Sequence, residues 1–441
     1  MTLGGKLKKR LLRREIERRL QEYTRPYSDE EALEVQLTLF NECWRKMARE
    51  IPFYRDLQRE RGIPETIASW EEFLELFPVM RRQDLNKKRT AMASVTRKPD
   101  FMRITSGTTS VPVQMPAWSS ELSFTRPDRW MARTWYGIQP DDRGFYIWGN
   151  PPAMGTGMKG MQDHPRTFLY DKAVGDYRLP SYDFSEDKMR ECGQRLLRHR
   201  PGYVLAYSMA LDTLARVNAH LRDELRSLGI KAVVGGSEGF PSRDRMRLVG
   251  EVFGCPVAME YGSYETGLMA HTRPQGTYAV FWRNYFLEAG DEGPDGARIV
   301  RVTSLYERCF PLVRYEIGDE IELMEEGGEY GLRSFQAVVG RTNSFVLLGD
   351  GAQIHTRAVG HCVRDIEGVV AFQIVQGRDN LTLSLVFEGD LPGQVEQIIR
   401  SRLGNVHPLL ADVRIRVVET LLQSAAGKTP VIIDEPETGA R

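Results

Sequence analysis

The stretch Met259-Glu260-Tyr261-Gly262-Ser263-Tyr264-Glu265-Thr266-Gly267 decides how this chain reads, because four other short runs stand around it in a fixed order. Upstream lies ITSGTTS, from Ile104 to Ser110; downstream come RYEIGD, from Arg314 to Asp319, then Gly340-Arg341, and finally Gly427-Lys428. In ITSGTTS, Gly107 lets a backbone approach an anion closely. Thr105, Ser106, Thr108 and Thr109 offer hydroxyl donors around it. Taken singly, each run has a plain alternative: a polar turn for ITSGTTS, a β-turn aspartate for Asp319, an exposed loop lysine for Lys428. The sequence GxxxxGK[ST] is absent, which sets aside an ordinary P-loop nucleotide hydrolase. Neither Gly235-Gly236-Ser237-Glu238-Gly239-Phe240 nor SGTTS supplies the G-x-S-x-G of a serine hydrolase.

At 441 residues the chain exceeds what one hydrophobic core comfortably organises, so two or more domains are expected. Apolar residues make up 41% and charged residues 27%, and 60 basic side chains balance 60 acidic ones, so nothing global points to nucleic acid. The cysteines Cys43, Cys192, Cys255, Cys309 and Cys362 form no CxxC pair, which argues for reduced thiols. No apolar run approaches the roughly 18 residues of a membrane span and no leader is legible, so the expectation is a cytoplasmic protein with no membrane partner. One local departure is KLKKRLLRREIERRL, Lys6 to Leu20. It reads as an amphipathic helix packed on the protein with a solvated basic face, or as a docking surface for a membrane or an acidic carrier protein.

Residues 1 to about 100 read as helices, including a periodic stretch from Glu30 to Ile51 and SWEEFLELFPVMRRQDL interrupted at Pro78. From Phe101 to about Gly340, runs such as GFYIWG, YVLAY, KAVVGG and PVAMEYG alternate with helical stretches such as SEDKMRECGQRLLRHR and DTLARVNAHLRDELRSLG, which predicts a parallel sheet in an α/β domain. After Arg341 the pattern changes to a hairpin turning at Gly377 to Asn380, a helix in PGQVEQIIRSRLGNV and a strand in DVRIRVVE, a small α+β unit. The tail DEPETGAR reads as frayed.

Together, the five runs in this order resemble the acyl-adenylate-forming superfamily, in particular its phenylacetate-CoA ligase-like branch, and the resemblance covers nearly the whole chain. It implies a large α/β N-terminal domain, 1–341, and a small mobile α+β C-terminal domain, 342–441. ITSGTTS would be the phosphate loop, with Ser110, Pro112 and Val113 where the family usually continues glycine, proline, lysine. Gly236, Ser237 and Glu238 resemble the segment beneath the adenine. Glu260, Tyr261 and Gly262 correspond to the tyrosine-glycine run beside the base, and Glu265 to the carboxylate that holds Mg²⁺ against the phosphates, a hard cation suited to oxygen ligands. Asp319 would accept hydrogen bonds from both ribose hydroxyls and Arg341 would reach the ribose-phosphate. Asn343 and Ser344 stand where paired aspartates commonly form the hinge. Lys428 matches the lysine that the small domain carries to the reacting carboxylate and α-phosphate, although an arginine often found near Thr429 to Val431 is missing.

The function this implies is ATP-dependent activation of a small carboxylic acid, an aromatic one by preference, as acyl-AMP, followed by acyl transfer to a nucleophile, with coenzyme A the first choice. Tyr136, Tyr207, Phe240 and Tyr264 are candidates for the acyl pocket and equally for core. An amide ligase, an activator of another oxyanion, or a non-catalytic scaffold of the same fold stay open as rivals, and so does a homodimer. Cys255, Cys309 and His271 lack the tight spacing of a zinc site, so no zinc is expected; His355 and His361 read as packing or surface residues.

Overall fold

The computed structural model describes residues 2–104, 114–148, 165–179, 186–293, 296–325, 328–341, 345–350, 353–363, 366–377, 380–423 and 429–435. Thr105, Ser106, Gly107, Thr108 and Thr109, expected as the phosphate loop, Asn343 and Ser344, expected at the hinge, Lys428 and most of the C-terminal tail lie outside them. The chain forms two compact units: residues 1–143, 173–175 and 258–339, and residues 144–172, 176–257 and 340–441.

In the first unit, the helix Asp29–Glu50 starts at a reciprocal cap, where Ser28 Oγ accepts from Glu31 N at 3.0 Å and Glu31 Oε2 accepts from Ser28 N at 2.8 Å. Its inner face, Ala32, Gln36, Phe40, Trp44 and Met47, recurs at helical spacing and is buried. Phe40 meets Phe73 and Phe77 of the following helical segment, and Trp70 stacks on Phe286 with ring centroids 3.6 Å apart. These contacts seat the N-terminal helices on antiparallel strands Tyr285–Glu292, Arg298–Ser304 and Tyr315–Glu322.

Here the structure corrects the reading of alternating helix and strand up to Gly340. From Val257 to Arg341 the elements among the described residues are all strands, and the pairings among Val257–Ser263, Gly267–Thr272 and Tyr278–Val280 are antiparallel. Short connections such as Tyr264 to Thr266 leave no length for the helical crossover that parallel strands need.

The second unit holds the parallel part. Strands Tyr177–Leu179, Gly144–Ile147, Tyr203–Tyr207 and Ala232–Gly236 pair in that spatial order, and the last three are buried throughout. Met189 and Leu196 of one helix, Leu211 and Leu214 of the next, and Val249 and Phe253 of a third pack in its core. The stretch expected as one helix after Asp212 is broken: an α-helix ends at Val217, and a short 3₁₀ turn at Ala219–Leu221 precedes Arg222–Ser227. Asn218 makes the break, its side-chain amide donating to the carbonyls of Met189 and Leu214.

The C-terminal part of this unit has the expected hairpin, Val369–Gln376 against Leu381–Phe387, with Arg414–Val417 and Ile432–Asp434 parallel on its two sides. Phe372, Ile374, Leu383 and Leu385 share a core with Val359, Val363, Ile399 and Leu403.

Candidate active site

The deciding stretch folds as a hairpin. Strand Val257–Ser263 pairs with Gly267–Thr272, and Tyr264, Glu265 and Thr266 make the turn. Ser263 and Thr266 close it reciprocally: Ser263 N donates to Thr266 Oγ1 at 3.1 Å and Thr266 N to Ser263 Oγ at 3.2 Å. A side chain at position 262 is excluded, because its Cβ would stand 2.1 Å from the Gly267 carbonyl oxygen.

Tyr261 and Glu260 leave this strand on opposite faces. The Tyr261 hydroxyl donates to Asp319 Oδ2 at 3.2 Å, and both residues are buried, so two motifs separated by more than fifty positions meet here. Glu260 instead takes a hydrogen bond from Arg133 Nη2 at 2.9 Å. Burial alone would raise the Glu260 carboxyl, but Arg133, Arg129 and His271 bring it below its ordinary range.

Opposite Glu260 on the paired strand, His271 is fully buried and its Nδ1 lies 2.9 Å from the Thr272 carbonyl. Burial holds its pKa below the ordinary 6.5, against the opposing pull of Glu260 and the Thr272 carbonyl. The unfolded chain therefore takes up a proton that the folded one resists. This contribution to stability is full above pH 6.5 and is lost as pH falls through and below that value. Urea midpoints measured from about pH 8 to about pH 5 are expected to fall on the acid side, and His271→Gln to flatten that limb. Tyr136 belongs to the same packing: its hydroxyl donates to the Thr272 carbonyl at 3.0 Å and its ring lies 5.7 Å from that of His271. Tyr264, in the turn, is 45% exposed.

Glu265 is nearly buried, with Arg82 Nη1 3.6 Å from its Oε1, while its backbone carbonyl accepts from Arg308 Nη2. Arg308 is buried as well, and its Nε lies 3.7 Å from Glu121 Oε2. That carboxylate also receives Arg103 Nη2 at 2.8 Å, and Glu121 Oε1 accepts from the backbone N–H groups of Trp118 and Cys309. Arg103 stands in strand Phe101–Ile104, paired with Gln114–Ala117 so that Ile104 faces Gln114. Ile104 and Gln114, which flank positions 105–113, are thus held side by side, and Glu121 and Arg308 tie this strand pair to the Glu265 turn. Glu121, Arg308 and Arg82 escaped the sequence reading because no motif spacing marks them.

In the second unit, Gly236 ends a buried strand and Ser237 adopts φ 72°, a left-handed conformation uncommon outside glycine. Glu238 then turns back: its carbonyl accepts from Ser208 Oγ at 2.8 Å, and its Oε2 accepts from Thr429 N at 3.4 Å. Thr429 is the residue after Lys428. Gln373, fully buried on the central hairpin, fastens both flanks of the same segment: its Nε2 donates to the carbonyls of Leu422 and Pro430 at 2.9 Å each, and its Oε1 accepts from Leu422 N at 2.9 Å. A cavity of about 310 Å³ opens between the Ser208–Val217 helix and residues 419–423, with Thr429 on its wall. Tyr207 stacks on Trp148 with centroids 4.6 Å apart, and Phe240 packs on the parallel-sheet core. Arg341 ends strand Ala337–Arg341. Cys255 is buried here, its thiol pushed up to about 12, whereas Cys309 and His271 belong to the first unit.

No protein-family model matches the chain. Protein CapK of Staphylococcus aureus is 22% identical over 227 residues; the match covers 50% of this chain, which spans about half the length of that curated relative. The fold is that of acyl-adenylate-forming enzymes. The structure of 2-hydroxyisobutyryl-CoA ligase, solved in its postadenylation state with 2-HIB-AMP, superposes with a TM-score of 0.65 at 18% identity, covering 93% of this chain and 90% of that one. O-succinylbenzoate coenzyme A synthetase of Bacillus subtilis, solved with AMP, gives a TM-score of 0.50 at 15% identity over 84% of this chain and 76% of the other.

Proposed function

We propose that this protein activates a small carboxylic acid with ATP and passes the acyl group to the thiol of coenzyme A. The acid's carboxylate oxygen attacks the α-phosphorus, the bond to the β-phosphate oxygen breaks, and pyrophosphate leaves. The acyl-AMP is then attacked at its carbonyl carbon by the thiol, which loses its proton as AMP departs. Ligases that carry adenylates or AMP in their solved structures share the fold. The single observation that carries the reading is the network from the strand pair flanking positions 105–113 through Arg103, Glu121 and Arg308 to Glu265.

In this reading Thr105, Ser106, Gly107, Thr108 and Thr109 hold the triphosphate by neutral hydrogen bonds. Asp319, oriented by the Tyr261 hydroxyl, accepts from the ribose hydroxyls. Gly236, Ser237 and Glu238 lie under the adenine, Arg341 reaches the ribose-phosphate, and Tyr207, Phe240 and Tyr264 line the acyl pocket. A single nearly buried carboxylate suits Mg²⁺, which takes one or two carboxylates and completes its shell with phosphate oxygens and water, so Glu265 fits that ion. When bound there it would neutralise charge on the phosphates. The C-terminal lid is residues 342–441 and the compartment is the cytoplasm, in keeping with five free cysteines.

Asp319→Ala is expected to raise the KM for ATP by roughly ten- to a hundredfold with a smaller change in kcat, since it removes charge-assisted hydrogen bonds made to bound nucleotide before and during reaction. Pyrophosphate release scored across a library of aromatic and aliphatic acids tests the adenylation itself. Silence across the library would sink it in favour of a non-catalytic scaffold. Mass spectrometry with CoA or amines present reads the acceptor, and an amide in place of a thioester would replace the second half-reaction while leaving the first.

A further inference from the structure

The basic N-terminal helix, Leu3–Thr24, carries two apolar faces. The inner one, Gly5, Leu12 and Ile16, is buried, and the helix is further fixed by Arg19 on Asp128 at 2.9 Å and Lys9 on Asp141 at 3.1 Å. The outer one is a line of three leucines at i, i+4 and i+8: Leu3, Leu7 and Leu11 are 86%, 57% and 68% exposed. Successive positions four apart lie one above another on a helix, so these side chains form a continuous ridge over its first three turns. Exposed Lys6, Arg10, Arg13, Arg14 and Arg18 flank it on the solvent side, against exposed Glu17. Arg13 is engaged by Glu17 at 2.7 Å, while Lys6, Arg10 and Arg14 have no ion-pair partner among the described residues.

We infer that this ridge docks the protein on the surface of an anionic lipid bilayer. Leucines bracketed by cations match a headgroup layer that is negative at the surface and apolar just beneath it. The ridge is convex, so a folded partner would have to present a groove shaped to it, whereas a bilayer yields to it. A second copy of this chain would bring the same cations against their like. No helix among the described residues is long and apolar enough to cross a membrane. Such docking departs from the expectation of no membrane partner and does not depend on the proposed reaction.

The test is co-sedimentation of the full chain with phosphatidylcholine vesicles, with and without phosphatidylglycerol. Binding is expected only where phosphatidylglycerol is present, and it should be lost near 1 M salt, where the Debye length falls to about 3 Å. The triple variant Leu3→Ser, Leu7→Ser, Leu11→Ser should lower partitioning at least about tenfold. Its thermal unfolding should stay unchanged, because all three side chains face solvent. Arg10→Glu with Arg14→Glu should weaken it comparably. Equal partitioning of wild type and the leucine variant, or equal binding to neutral vesicles, would overturn the inference. So would a concentration-dependent dimer abolished by the leucine variant in a protein that ignores vesicles, or retention on an acidic carrier protein by a protein that does not sediment with lipid.

Discussion

Lys428→Ala is expected to lower ATP-dependent pyrophosphate release by about 10²- to 10³-fold while ATP binding, read by equilibrium titration, changes by less than about tenfold. In the proposed reaction the ammonium would offset charge that builds on the α-phosphate and bridging oxygen as pyrophosphate leaves, charge that is absent from the bound ground state. A cation matched to it acts on kcat far more than on affinity. Of the described residues on either side of Lys428, Gln373 fastens Leu422 and Pro430, and Glu238 takes the N–H of Thr429. A conservative Lys428→Arg should recover only part of the loss, since a planar fork does not place its charge as a compact ammonium does. If Lys428→Ala releases pyrophosphate at the wild-type rate, the lysine has no part in adenylation.

The largest stability effect is expected at Glu121. Its carboxylate, 1% exposed, receives Arg103, Arg308 and the backbone N–H groups of Trp118 and Cys309. Glu121→Ala would leave two guanidinium groups, one of them fully enclosed, without their counter-charge. The cost of breaking such a buried arrangement is about 3–5 kcal/mol. Glu121→Gln keeps the shape and some hydrogen bonds but not the charge, and should fall between. Urea unfolding followed by tryptophan fluorescence reads both. The double variant Glu121→Met, Arg308→Met, which removes the enclosed pair and leaves only the more exposed Arg103 unmatched, should be less destabilised than Glu121→Ala, and the reverse order would show that the charges are not what the enclosure holds.

Much of this was written along the chain. The apolar period of Asp29–Glu50, the continuous apolar strands Gly144–Ile147, Tyr203–Tyr207 and Ala232–Gly236, and the hairpin at Gly377 to Asn380 are local signals, and each stands where its residues predicted. The antiparallel run after Val257 departs from the expected alternation, because a short apolar strand looks the same whichever way its neighbour points. Motif order suggested a place beside the base for Tyr261 and one at the ribose for Asp319, but neither their pairing nor the partners of Glu260: only the fold shows that a strand's alternation sends Tyr261 to Asp319 and Glu260 to Arg133. Arg308, Glu121 and Gln373 were illegible for the same reason. Each acts on residues distant in sequence, and a lone arginine, glutamate or glutamine carries no spacing from which a partner can be deduced.

Arg308 grips residue 265 by its main chain and not by its side chain. The turn's anchorage therefore does not pass through that side chain: Glu265→Gln would bring the same carbonyl to the guanidinium, so the clamp should survive a change that alters only the charge facing Arg82.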